Sequence, residues 1–324
     1  MKKMFVMLLA MLMLASCFAG CGAKADDGVI NIAIIQQLDH SSLDEIREAI
    51  KAQLNTLVTP TNYTLTIKEY NGQNDTSMLT QIATQVVADK PDMIIPIATL
   101  AAQYAVLAAE GTDIPIVYAA ISDPEGAGLT GLKNVTGVSD ALNTPFILHM
   151  MLAAQPDVKT VGLLYSTSEI NSEAPIAEAK AYLDAKGIAY IEKTGTTSGE
   201  IVEAAASLVG RAEAVFTPTD NAVMAAEAAV AELLNAGGIA HYTGADSFVQ
   251  SGAFTTCGVN YTELGTKSAD IAFDILMGGE IGEFVVMDGG IITVNTDTAA
   301  AIGVDYEVFK TMANTVNAVT TTVE

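Results

Sequence analysis

The chain of 324 residues has no tryptophan, only three cysteines and three histidines, and 15 lysines and arginines against 38 aspartates and glutamates. Each shortage removes a class of function. A formal charge of −23 at pH 7 repels phosphate backbones and anionic head groups, which argues against a nucleic-acid surface or a polybasic membrane patch. With Cys17 and Cys21 both near the start, Cys257 stands alone, so there is no disulfide framework and no cysteine-based zinc site. His40, His149 and His241 form no metal pair at helical spacing. No Gly-x-x-x-x-Gly-Lys phosphate loop occurs, no Gly-x-Gly-x-x-Gly follows the first strand, and no serine sits in a nucleophile elbow. The expectation is a protein that is not an enzyme and carries neither cofactor nor metal. The lack of tryptophan also weighs against stacking on a sugar. What is plentiful is apolar: half of the residues, many of them alanine, which excludes disorder. The length suffices for about two domains of ~150 residues.

The first residues are not part of that fold. Lys2 and Lys3 precede a stretch from Met4 to Ala23 without a charge, the pattern of an export signal. Ser16, Gly20, Gly22 and two cysteines interrupt its last third, unlike a membrane-spanning helix. The residues at the end of the apolar run resemble the lipobox of bacterial lipoproteins, whose cysteine is acylated and becomes the mature N-terminus. Leu14-Ala15-Ser16-Cys17 fits it, while Phe18-Ala19-Gly20-Cys21 departs at the first position. Cys21 is preferred because Gly22 and a polar tether (Lys24, Asp26, Asp27) come after it, and Cys17 is the alternative. The expectation is a signal peptide over residues 1–20, a tether over 21–28, and a protein lipid-anchored on the extracytoplasmic face of the cell membrane.

Beyond the tether, short β-branched runs alternate with amphipathic segments. Strands are expected over residues 29–35, 63–70, 92–97, 114–120, 160–165, 188–193, 212–217 and 239–243. Leu43, Ile46, Ile50, Leu54 and Leu57 recur at helical spacing, as do Leu264, Ile271 and Ile275. Strands without strict alternation, separated by helices, predict an α/β fold with parallel sheets covered on both faces. DMIIPIATLAA from Asp92 and EAVFTPTDNA from Glu213 both read as strand, threonine-containing turn and helix, so two similar lobes are implied. The stretch NVTGVSDALNTP from Asn134, where the pattern pauses, is the natural first crossing between them. Ligands of doubly wound sheets bind outside the carboxyl ends of the strands, and with two lobes facing each other the site is the cleft.

The strand-end loops carry a resemblance. KPDMIIPIATLAAQ, IPIVYAAISDPEGAGL, NVTGVSD, VGLLYSTSEINS, VFTPTDNAV and GVNYTELGTKSADIAFDILMGGE are similar to stretches of the ABC-transporter substrate-binding lipoproteins that include tryptophan- and tyrosine-binding members, in the family's order. Leu100 stands where proline is frequent, and Gln37-Leu38-Asp39-His40-Ser41 where a His-Pro pair is. The resemblance implies two doubly wound Rossmann-like lobes with a hinge, in the type I periplasmic-binding-protein manner. Residues 29–138 plus 259–286 would form lobe 1, and residues 139–258 plus 287–324 lobe 2. It further implies a monomer that closes on a small molecule, an amino acid and most readily an aromatic one, and delivers it to ABC permease and ATPase subunits. A nucleoside, another amino acid or a sugar is the alternative ligand, and a sensory receptor subunit the alternative role.

An amino-acid zwitterion needs an anion near its ammonium and donors around its carboxylate. Asp220, after Thr219 and before Asn221, is the first choice for the ammonium, a role compatible with capping the helix expected over residues 221–235. Asp246 and Asp123 are second choices. Ser168, Asn171 and Ser172 offer donors to the carboxylate, joined from the first lobe by Thr99, while Glu169 either points away or meets the ammonium. Tyr165 ranks first among the side-chain lining candidates, ahead of Tyr104, Tyr118, Phe146 and Phe248. His40 is the one histidine in a strand-end loop.

Overall fold

The structure, a computed structural model, describes residues 28–322; Cys17, Cys21, the expected signal peptide and nearly all of the tether lie outside the described residues. The first half of the chain forms β1 (Val29–Gln36), α1 (Ser41–Val58), β2 (Thr64–Asn71), α2 (Thr76–Asp89), β3 (Met93–Ile97), α3 (Thr99–Ala108), β4 (Ile116–Ala119) and β5 (Val135–Ser139). Next come α4 (Thr144–Ala154), β6 (Thr160–Tyr165), α5 (Glu173–Lys186), β7 (Ala189–Thr194), α6 (Ser198–Ala206) and β8 (Ala214–Thr217). They are succeeded by α7 (Asn221–Met224), α8 (Glu227–Ala236), β9 (Ala240–Thr243), α9 (Asp246–Gln250) and β10 (Thr255–Gly258). The last elements are α10 (Tyr261–Leu276), β11 (Val285–Val286), β12 (Ile291–Asn295), α11 (Thr296–Ile302) and β13 (Thr315–Val319).

One sheet runs β2-β1-β3-β4-β5-β11 and the other β7-β6-β8-β9-β10-β12-β13. The first five strands of each follow the same order, so the two lobes repeat one plan. All pairings are parallel except β10 with β12. Central strands such as β3 are buried at every position, as strands covered on both faces must be, whereas the edge strand β2 is mostly open. The chain passes between lobes after β5, between β10 and α10, and between β11 and β12, which makes a three-stranded hinge. α10 returns to pack along α1.

Two features differ from expectation. No strand is expected from the sequence over β5 or β10–β13; β5 carries Gly137 and polar residues and owes its conformation to pairing with β4, a tertiary contribution that propensity does not register. The helix expected over residues 221–235 is two, broken at Ala225 and Ala226, and the break seats Glu227 in the core beside His241.

Candidate ligand-binding cleft

The carboxyl ends of both sheets face each other across a closed seam. Lobe 1 contributes the loop after β1 (Gln37 to His40), the start of α3 (Ala98, Thr99), the turn after β4 (Ala120, Ser122) and Asp140 just past β5. Lobe 2 contributes the loop after β6 (Ser166 to Ser172), the turn after β8 (Thr219 to Asn221) and the start of α9. Among the described residues hydrogen bonds cross the seam at four places: Gln37 Nε2 donates to Glu169 Oε1 (2.8 Å), Ser42 Oγ to Asp246 Oδ1 (3.0 Å), and the pairs Ser122 Oγ–Thr219 Oγ1 (2.8 Å) and His40 Nε2–Asn221 Oδ1 (3.3 Å) also bridge it. Gly244 lets the β9 turn lie against the β8 loop, since a Cβ there would stand 2.5 Å from the Thr219 nitrogen.

The cavity between the lobes measures about 30 Å³. Small-molecule pockets span about 300–1,000 Å³, so a ligand of that size finds no room with the lobes as close as they stand here. A second cavity of about 750 Å³ opens on the hinge side, and Asp140 and Tyr261 line both. At the cleft wall Ala98 (φ 72°) and Ala120 (φ 57°) hold left-handed backbone that L residues rarely adopt, which places local strain at two of its turns.

The electrostatics of the seam are one-sided. Asp140, Glu169 and Asp220 are buried and Asp246 is partly so, and among the described residues no lysine or arginine forms an ion pair with any of them. Desolvation pushes Asp140 up to about 6 against the hydrogen bond from Ser122. Desolvation, then the neighbouring Asp220 charge, push Glu169 up to about 8. Burial raises Asp220 and Asp246 as well. Loss of solvent lowers His40 to about 4, so its ring is neutral at neutral pH. Asn221 Nδ2 donates to Glu169 Oε2 (3.0 Å), which leaves Asn221 Oδ1 to accept from His40 Nε2–H. His40 Nδ1 is therefore a bare acceptor, buried without a partner. Asn171 Oδ1 and Ser247 Oγ, both of residues lining the cavity, are buried without partners too.

These shifts predict a pH dependence. Glu169 binds its proton more tightly in the closed fold than in the unfolded chain. Its contribution to stability is complete below the ordinary carboxylate pKa and is lost as pH rises through about 8. His40 works in the opposite direction but has finished titrating by about pH 7. The melting temperature of the ligand-free protein should therefore fall between about pH 7 and pH 8 and level off above that, and Glu169→Gln should flatten that limb in a thermal scan. An equal slope in the variant would exclude Glu169 as its source.

The residues named from sequence divide into three groups. Thr99, Thr219, Asp220, Asn221, Asn171 and His40 all line the cavity, with Phe248. Glu169, Ser172 and Asp246 stand in the seam but not on the cavity wall: Glu169 joins the lobes, Ser172 Oγ donates to Asp220 (2.7 Å), and Asp246 takes Ser42. Tyr165, Ser168 and Asp123 lie elsewhere. The Tyr165 hydroxyl donates to Glu192 Oε2 (2.9 Å) on β7, Ser168 is exposed, and Asp123 caps its own turn through the Gly126 N–H. Glu192 lies two residues before Thr194, the β7 partner of Tyr165, so the tyrosine reaches back along the sheet rather than over its end. Phe146 lines only the hinge-side cavity, and Tyr118 is core. The Asp220 carboxylate caps α7 and is closed in by donors of its own lobe. Sequence reasoning missed Gln37, Ser122, Asp140, Ser247 and Tyr261 as wall or latch residues. Asp140 ends the stretch NVTGVSD, and reading that stretch only as a crossing hid it. Cys257 is a buried free thiol raised to about 11 by desolvation.

Two lobes on one plan, a three-stranded hinge and a polar cavity at the strand ends define a binding protein that closes around a small molecule. Residues 31–315 match the family model described as ABC transporter substrate binding protein, and the chain belongs to that family, whose members bind substrates rather than transform them. A tyrosine-binding protein of Clostridioides difficile (strain R20291) is 33% identical over 279 residues, 84% of this chain and 80% of the relative. An ABC domain in complex with L-Trp from Streptococcus pneumonia is 27% identical with a TM-score of 0.82, over 89% of this chain and 99% of the other. The ligand-free, open form of a substrate-binding protein with adhesive properties from Clostridium difficile is 31% identical with a TM-score of 0.67, over 90% and 100% of the two chains. The higher score against the ligand-bound structure accords with the closed seam seen here. Among the described residues no helix is long and apolar enough to cross a membrane.

Proposed function

We propose that this protein captures a free aromatic amino acid, tyrosine or tryptophan, outside the cytoplasm and presents it in the closed form to the permease and ATPase subunits of an ABC importer. It acts as a monomer, held at the membrane through a lipid on Cys21 or, failing that, Cys17. The observation that carries the ligand class is the cavity wall. Its bare acceptors (His40 Nδ1, Asn171 Oδ1) and its carboxylates without a cation call for a ligand that brings positive charge and N–H donors. The tyrosine-binding relative supports the aromatic choice. Thr99, Thr219 and Asn221 supply further polar contacts, and Leu43, Met224 and Phe248 the apolar surface for a ring.

A thermal-shift screen of the mature protein against the standard amino acids, nucleosides and common sugars tests this. Tyrosine or tryptophan at 100 times its dissociation constant should stabilise the protein by about 2.7 kcal/mol, a shift of several degrees. A response to a nucleoside or sugar alone would overturn the ligand class.

A further inference from the structure

The four carboxylates of the seam are not equivalent. An ionised carboxylate has about four lone-pair sites to satisfy. Asp220 fills them within its own lobe: Oδ2 accepts from the Ser166 N–H (2.6 Å) and Ser172 Oγ (2.7 Å), Oδ1 accepts from the Val223 N–H (2.9 Å), and the Ala222 N–H also donates to the carboxylate. Glu169 accepts from the Gln37 and Asn221 amides, the Asn171 side-chain amide also donates to it, and Glu169 does not reach the cavity. Asp246 accepts from Ser42 and also stands off the cavity wall.

Asp140 lines the cavity as Asp220 does, but with fewer donors around it. It is the first residue beyond β5 at the hinge, 6% exposed, and it lines the cavity. Its side-chain partners are two hydroxyls: Ser122 Oγ donates to Oδ1 at 2.9 Å, and the Tyr261 phenol donates to the same carboxylate. Two hydroxyl donors do not neutralise a buried carboxylate, which needs a cation or a proton.

A second observation points to the same place. Asn171, 3% exposed, donates from Nδ2 to the Thr219 carbonyl (2.7 Å), while its Oδ1 has no partner. The two acceptors belong to one continuous chain. Ser122 donates to Asp140 and so accepts from Thr219 Oγ1 (2.8 Å), and the Thr219 backbone in turn holds Asn171. A carboxylate from lobe 1 and an amide oxygen from lobe 2 thus bound a single stretch of wall.

We infer that Asp140, with Asn171 Oδ1 across the cleft, forms the subsite for the ligand's ammonium group, and that Asp220 is a structural cap which shapes the β8 turn. This rests on the reading of the ligand as an amino acid. It also explains closure: an ammonium held between acceptors of opposite lobes binds the closed form more tightly than the open one, the differential affinity that drives a hinge shut.

Isothermal titration of the full mature protein decides it, with L-tyrosine, L-tryptophan and 3-(4-hydroxyphenyl)propionate, the tyrosine analogue without the amine. The wild type should bind an amino acid and discriminate strongly against the deaminated analogue. Asp140→Asn should lose roughly 30- to 1,000-fold in affinity for the amino acid while changing little toward the analogue, so that the discrimination collapses. Asp220→Asn should keep the discrimination, whatever its effect on stability. An equal loss toward both ligands in Asp140→Asn would make Asp140 structural. Collapse of the discrimination in Asp220→Asn would hand the ammonium to Asp220, and this arm is decisive even if Asp140→Asn fails to fold. A wild type that binds no amino acid would overturn the proposed function itself, and the subsite with it.

Discussion

Replacing Glu227 with alanine should lower the stability of the protein by about 3–5 kcal/mol, the combined cost of a buried N–H donor left without its acceptor and of the cavity the side chain leaves. Glu227 and His241 both sit in the core of lobe 2, 1% and 0% exposed, and Glu227 Oε1 lies 3.0 Å from His241 Nδ1. Burial raises the Glu227 pKa and the attraction of His241 opposes that rise, so each group makes the other tolerable where it stands. With the carboxylate accepting, Nδ1 carries the proton and Nε2 accepts from the Thr217 hydroxyl at 2.8 Å. Thr217 ends β8, immediately before the turn that carries Thr219 and Asp220. Alanine would leave the buried Nδ1–H of His241 without an acceptor and a cavity at the start of α8. The loss should therefore reach the cleft as weaker ligand binding. Denaturant unfolding with Glu227→Ala, and with the paired change Glu227→Leu plus His241→Phe, separates charge from volume: the pair should recover much of the stability while the single variant does not. A single variant within about 0.5 kcal/mol of the wild type would show that the pair adds nothing.

Gly137→Ala should destabilise lobe 1 by about 3 kcal/mol and disturb the first hinge strand. Gly137 lies in β5 opposite Tyr118 of β4, and a Cβ there would stand 2.2 Å from the Tyr118 carbonyl oxygen and 2.4 Å from its ring. The obstacle is backbone in a fully buried strand, which cannot turn aside as the end of a flexible side chain can. β5 runs directly into Asp140, so separating it from β4 also moves the carboxylate at the hinge. A thermal melt checks the stability, and small-angle scattering with and without ligand checks whether closure survives. A melting temperature unchanged from wild type would mean that β4 and β5 can separate without loss.

Much of the architecture was legible because the relevant patterns are local. The apolar runs at β1, β3, β6 and β8, and the periodic segments between them, state a parallel α/β fold, since only strands covered on both faces lack alternation. Six stretches in the family's order, from KPDMIIPIATLAAQ to GVNYTELGTKSADIAFDILMGGE, carried the family resemblance. Strands β5 and β10 were not legible: their short, glycine- and threonine-bearing sequences become strands only when a neighbour supplies the pairing. The helix break before Glu227 was hidden for a related reason, because a buried histidine 14 positions along the chain decides it.

The cleft divides in the same way. The sequence alone predicted an acidic chain with an export signal ahead of the fold, its family resemblance pointed to a binding protein, and it marked which strand-end loops carry polar groups, because charge balance, motifs and periodicity are properties of the chain read in order. Which of those groups share a wall was a matter for the tertiary structure. Asp220 and Asp140 both come after a strand at a polar turn. Both line the cavity, but one accepts from three backbone amides of neighbouring residues and a hydroxyl, while the other has two hydroxyls and its own backbone N–H. That difference depends on where loops far apart in sequence converge: Ser166 and Ser172 on Asp220, Ser122 and Tyr261 on Asp140. A carboxylate's freedom to meet a ligand is set by the donors already around it, and those are assembled only when the two sheets fold and the hinge brings their ends together.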